Sequence, residues 1–127
     1  MTEQAQQSAG RFVQRLSAIQ DEVDEIRSDL AARDLIQIAY RCRRMLRELR
    51  VLLDTNLTVL FGAEAPEARE DLHGWLNYAE AQIATALSHD YDFEAITRRL
   101  SMATMLGNHV LQVMTEATED LRRRQMI

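Results

Sequence analysis

Apolar residues recur along this chain at helical spacing. Phe12, Leu16, Ile19, Val23, Ile26 and Leu30 follow one another in steps of 4, 3, 4, 3 and 4, which draws a narrow stripe down one side of a helix. Asp21, Glu22, Asp24, Glu25 and Asp29 fill the opposite side. The spacing predicts a first helix from about Gly10 to Ala32. Residues 1–9, rich in Gln, Ser and Ala, read as a disordered leader.

The phase of the pattern slips at Arg33 and Asp34. A second apolar set follows: Leu35, Ile38, Cys42, Met45 or Leu46, Leu49 and Leu53. A new helix starting near Asp34 explains the slip, with Asp34 as N-cap and Gln37 completing a capping box. One continuous helix is the alternative, because neither Gly nor Pro marks a turn there. The second helix is expected to end at Phe61, with Gly62 as its stop. A loop over residues 62–65 then leads into Pro66, a residue favoured in a first helical turn. The third helix is expected to run to Ser88 and to bury Ala68, Leu72, Trp75, Ala79, Ile83 and Ala86. His89, Asp90, Tyr91 and Asp92 read as a tight connection with a capping aspartate. The fourth helix, from about Asp92 to Arg123, carries a seam of Phe93, Ile96, Leu100, Ala103, Gly107, Val110, Met114, Ala117 and Leu121. Four helices with short connections predict an all-α fold. It is expected to be an antiparallel up-down-up-down four-helix bundle, one domain over residues 10–127.

Composition sharpens this picture. With 4 Gly and 1 Pro in 127 residues, a turn-rich β fold is out of reach. All 15 basic residues are arginine, so no lysine is present to form a Schiff base or a P-loop. A net charge of −5 argues against a nucleic-acid partner. The single cysteine, Cys42, falls on the second helix's apolar seam and reads as an inert buried thiol. The first ten residues carry no hydrophobic stretch, and the uncharged run from Leu100 to Thr115 is shorter than the ~20 apolar residues of a membrane span. The expectation is a cytoplasmic protein without a membrane span.

No motif for catalysis emerges, and the chain is expected not to be an enzyme. His73, His89 and His109 lie far apart, and no metal or cofactor is expected. His73 and His109 could make the chain a degenerate histidine phosphotransfer module, but neither is followed by lysine, the usual phosphate-neutralising residue.

Two surfaces hold more than packing requires. On the second helix Tyr40, Arg44, Arg47 and Val51 share a side opposite the seam. Five arginines and one acid fall between residues 41 and 50. Either these arginines pair with the acidic side of the first helix, or they form a docking strip for an acidic partner. On the fourth helix Met102, Met105, Leu106, His109 and Val113 lie away from the seam. Either they edge a wide core, or they meet a partner or a second copy in a homodimer.

The order of elements resembles the flagellar export chaperone FliS family across roughly residues 11–118. The likeness rests on the charged turn Ala31-Ala32-Arg33-Asp34 and on Leu49-Arg50-Val51-Leu52-Leu53-Asp54 near the end of the second helix. Leu72-His73-Gly74-Trp75-Leu76-Asn77-Tyr78 and the Asp-bearing turn before the last helix complete it. The resemblance implies a chaperone that holds a helical segment of a secreted subunit such as flagellin. Apolar anchors would lie in a groove and charges would set register. Trp75, Tyr78, Met102 and Met105 are then candidate contacts, with Arg44 and Arg47 meeting acidic residues of the partner.

Overall fold

The structure is a computed structural model and describes residues 3–30, 34–88 and 92–124. They form four α-helices: α1 over Glu3–Asp29, α2 over Leu35–Phe61, α3 over Ala65–Ser88 and α4 over Phe93–Arg123. A single 3-10 turn over Gly62–Glu64 joins α2 to α3, and no strand occurs among the described residues.

Helix α1 starts earlier than its apolar stripe suggests. The leader expected over residues 1–9 is helical from Glu3 onward. Alanine and glutamine are good helix formers, so this stretch needs no core-facing stripe to continue the helix. Phe12, Leu16, Ile19, Val23 and Ile26 enter the core. The helix ends at Asp29, and Asp34 caps a separate α2 by accepting the Gln37 amide at 3.2 Å. The rest of the expected turn, residues 31–33, lies outside the described residues.

Helix α2 buries its whole predicted seam, both Met45 and Leu46 included, and adds Ala39, Leu52, Leu57 and Leu60. Gly62 stops it with φ 57° and ψ −126°, donating its N–H to the Thr58 carbonyl. A side chain is strained at that φ, which is why glycine stands there. Helix α3 begins at Ala65, so Pro66 falls in the first turn, where its missing N–H is not needed. Its buried line is Leu72, Leu76, Ala79, Ile83 and Ala86. Leu76 takes the core position expected of Trp75, which stays 39% exposed at the rim.

Asp92 caps α4, accepting the Glu94 amide at 3.4 Å. The remainder of the preceding connection, residues 89–91, lies outside the described residues. The α4 core line is wider than its 3–4 seam. Leu106 and Leu111 are buried, with Thr104 and Thr118 beside them, while the predicted seam residue Phe93 is exposed. The two buried threonines cost little, because each hydroxyl donates to the carbonyl four residues back, at 2.7 Å and 2.8 Å.

Packing gives α2 and α4 the central place. Each touches the other three helices, whereas α1 and α3 do not touch each other. A Cβ on Gly107 would stand 2.9 Å from both the Leu46 Cδ2 and the Met45 Cε. Glycine there lets α4 sit directly on α2. The side-chain pairs rise and fall in order. Arg50 meets His73, Asn77 and Glu80, while Asp54, one turn later, meets His73 and lies 4.0 Å from Arg69. Arg99 meets Gln82, and His109 meets Trp75.

Candidate functional site

The exposed sequence-predicted residues fall into two groups. Tyr40, Arg44, Arg47 and Val51 line the outer side of α2, next to α1. Trp75 on α3 meets His109 on α4, and Tyr78 on α3 and Met102 and Met105 on α4 are exposed on the same two helices. Since α1 meets α2 and α3 meets α4, while α1 and α3 are apart, the two groups occupy opposite edges of the helix array.

The arginines of α2 have divided themselves among neighbours. Arg41 turns to α1 and donates to Glu22, Asp29 and Glu25 at 3.1, 2.9 and 3.1 Å. Hydrogen bonding to Glu22, then to Asp29, raises its guanidinium pKa further above the ordinary arginine value. Arg50 turns the other way and donates to His73, Asn77 and Glu80 on α3. Arg43 lies over the Tyr40 ring at 5.8 Å. Arg44 and Arg47 make no ion pair or hydrogen bond among the described residues, and both are exposed. Pairing with α1 therefore accounts for Arg41 and leaves the middle of the strip free.

A cleft of about 510 Å³ opens between α1 and α2 at this point. Ala18 and Ile19 from α1 and Val51 and Leu52 from α2 give it an apolar floor, and Arg15, Arg44, Arg47 and Glu48 stand around it. Val51 is 59% exposed there. Sequence spacing pointed to Arg44, Arg47 and Val51 but missed Arg15 and Ala18. Both lie one position before a seam residue of α1, so only the packing of α1 on α2 turns them toward the cleft.

On the opposite edge the Trp75 and His109 rings meet edge-to-face, with centroids 5.1 Å apart and planes at 62°. Tyr78, Met102 and Met105 on the same two helices are all exposed, Met105 at 59%. Of the apolar residues expected away from the α4 seam, Leu106 belongs to the core and Val113 packs partly against it.

His73 and the cysteine are held rather than presented. Arg50 can only donate, so His73 Nδ1 accepts its bond at 2.8 Å, and Nε2–H donates to Asp54 at 2.6 Å. Both ring nitrogens are engaged, and neither is presented for phosphate attack. Cys42 is fully buried. Thr104 gives its proton to the Leu100 carbonyl, so the thiol donates to Thr104 Oγ1 at 3.6 Å. Burial pushes the thiol pKa up from 9.0 to about 11. No cluster of metal-ligating side chains and no helix long and apolar enough to cross a membrane occurs among the described residues. Of the only local ligand group in the sequence, His89 to Tyr91 lie outside them.

No protein-family model, curated protein or solved structure matches the chain.

Proposed function

We propose that this chain is a non-enzymatic binding protein. In this reading it works in the cytoplasm as an export chaperone or adaptor that holds a helical segment of a secreted, flagellin-like subunit. Its four helices would form an up-down-up-down antiparallel bundle. The order of contacts supports that arrangement: rising positions on α2 meet falling positions on α3, and rising positions on α4 meet falling positions on α3.

One observation carries the functional reading. Arg44 and Arg47 stand unpaired beside an apolar-floored cleft on a protein of net charge −5. An acidic protein spends no stability by leaving two cations without internal partners, and gains an attraction for acidic segments. An amphipathic helix would lay its apolar side on Ala18, Ile19, Val51 and Leu52 and offer carboxylates to Arg15, Arg44 and Arg47. Tyr40, one turn before Arg44, would extend the contact. Glu48 would repel a misplaced acid and so help to set register.

Anisotropy titration of a labelled acidic amphipathic helical peptide tests this reading. Binding should weaken as salt rises. Arg44→Glu with Arg47→Glu should lower affinity by roughly tenfold or more, in line with reversing contacts to a charged partner. Equal affinity for the reversed and native proteins would remove the cleft from consideration.

A further inference from the structure

We infer that the α1/α2 cleft selects its partner helix by the order of that helix's charges: acids in the first half, cations in the last, lying parallel to α1. The inference rests on the cleft being a helix-binding site, and it names which helix the cleft takes. Down the side of α1 that meets α2 the residues run Arg11, Arg15, Ala18, Glu22, Glu25 and Asp29, in steps of 4, 3, 4, 3 and 4. The cleft places Arg15 and Ala18 on that side, and bonds to Arg41 place Glu22, Glu25 and Asp29 there. The line is therefore basic at one end, small in the middle and acidic at the other. From Arg15 to Asp29 it rises ~21 Å, about four turns.

Helix α2 does not cancel this division. At the acidic end one guanidinium, Arg41, meets three carboxylates, so negative charge is left over, and the Glu25 and Asp29 side chains stay 67% and 51% exposed. Asp34, the cap of α2, adds a further carboxylate there. Even with Arg33, which lies outside the described residues, acids outnumber arginines at this end. Arg27, seven residues after Gln20, stands on the α4 side of α1, where Gln20 bonds to Asn108 and Gln112. Toward the other end Arg15, Arg44 and Arg47 stand around the cleft with Glu48 as the sole acid, and Arg11 follows one turn beyond Arg15. None of these four arginines has an ion pair among the described residues.

Helices favour acids in their first turn and cations in their last, because each then meets the opposite end of the backbone dipole. A helix charged in that order fits this cleft in one direction. Its acids lie over Arg15, Arg44 and Arg47, and its cations, farther along, over Glu25 and Asp29, so it runs parallel to α1. Reversed, it would set acid on acid and cation on cation. Ala18, in the middle, leaves room for the apolar stripe of the partner beside Val51.

Two labelled amphipathic peptides of one composition and one apolar stripe test this by anisotropy. One carries its acids first and its cations last, and the other has the same charges interleaved. The native protein should bind the ordered peptide about fivefold more tightly, as suits two additional exposed ion pairs, and the gap should close at high salt. Glu25→Gln with Asp29→Asn keeps hydrogen-bond acceptors for Arg41 and removes two charges, so it should bring the two affinities together. A nitroxide on the first residue of the ordered peptide should broaden the Arg15 amide signal more than that of Asp29, and one on the last residue should do the reverse. Equal affinities in the native protein overturn the inference, as do a gap that survives the Glu25 and Asp29 substitutions and the opposite pattern of broadening. In each of those cases, loss of binding in Arg44→Glu with Arg47→Glu still upholds the cleft as the helix site. If neither peptide binds the native protein, both readings fall.

Discussion

Cys42 shows how an environment decides what a residue can do. Its thiol sits among apolar side chains with a single weak bond to Thr104, and burial holds it protonated well beyond the range of an exposed thiol. In the unfolded chain the thiol ionises near 9.0, and in the folded chain near 11. Above pH 9 the unfolded state therefore binds fewer protons than the folded one, and stability contributed by the thiol declines as pH rises from 9 to 11. Below pH 9 that contribution is complete. Iodoacetamide labelling at pH 8 should be slow in the native protein and fast in denaturant. Replacing Cys42 by Ala should flatten the alkaline fall in urea midpoint. A native thiol that labels as fast as the denatured one would contradict this account of the core.

At the scale of elements, the ion pairs of Arg41 are the clearest link between two helices. One guanidinium holds three carboxylates spread over two turns of α1. A forked donor does this in a way a point charge cannot. Arg41→Ala would leave Glu22, Glu25 and Asp29 crowded together without a cation. We expect it to cost about 1 kcal/mol, more at low salt, as suits a partly exposed network. Arg44→Ala, which breaks no internal contact, should fall within about 0.5 kcal/mol of the native protein. Urea melts of the two variants at two ionic strengths compare them.

Elements are also where the sequence was most and least readable. The α1 stripe was legible because its 3–4 steps are regular and its other side is acidic. The Asp34 cap and the Gly62 stop were legible because each rests on local chemistry. Trp75 was misplaced because α3 carries two apolar lines a residue apart, and only packing chooses Leu76. Leu106 was misplaced for a related reason: α4 lies against all three other helices, so its core line is broader than a single seam. The start of α1 was missed because helix propensity, which leaves no periodic mark, extends it. The cleft was half legible: the arginine strip shows in the numbering, whereas Arg15 enters only through the seating of α1. Which arginine would turn to which neighbour could not be read at all, since it depends on carboxylates distant in sequence.

For the whole molecule, the unequal contacts of the helices predict unequal stability. Helices α2 and α4 touch every other helix, whereas α1 rests on those two alone. Native-state hydrogen exchange should show α2 and α4 amides exchanging only through global unfolding. Amides of α1 should open separately at a lower free energy. Exchange of α1 at the global rate would show that the bundle opens as one unit.

The missing side chain at Gly107 has a consequence for the shape of the array. Four helices in contact around a rhombus behave like a hinged frame, in which shortening one diagonal lengthens the other. Gly107 lets α4 rest on Met45 and Leu46 and so fixes the short diagonal between α2 and α4. The long diagonal, from α1 to α3, follows from it, and those helices stay apart. A methyl group at position 107 would have to displace the ends of the Met45 and Leu46 side chains from this diagonal. The cleft and the aromatic face lie apart, yet each is built on one of the two helices that meet at this close contact.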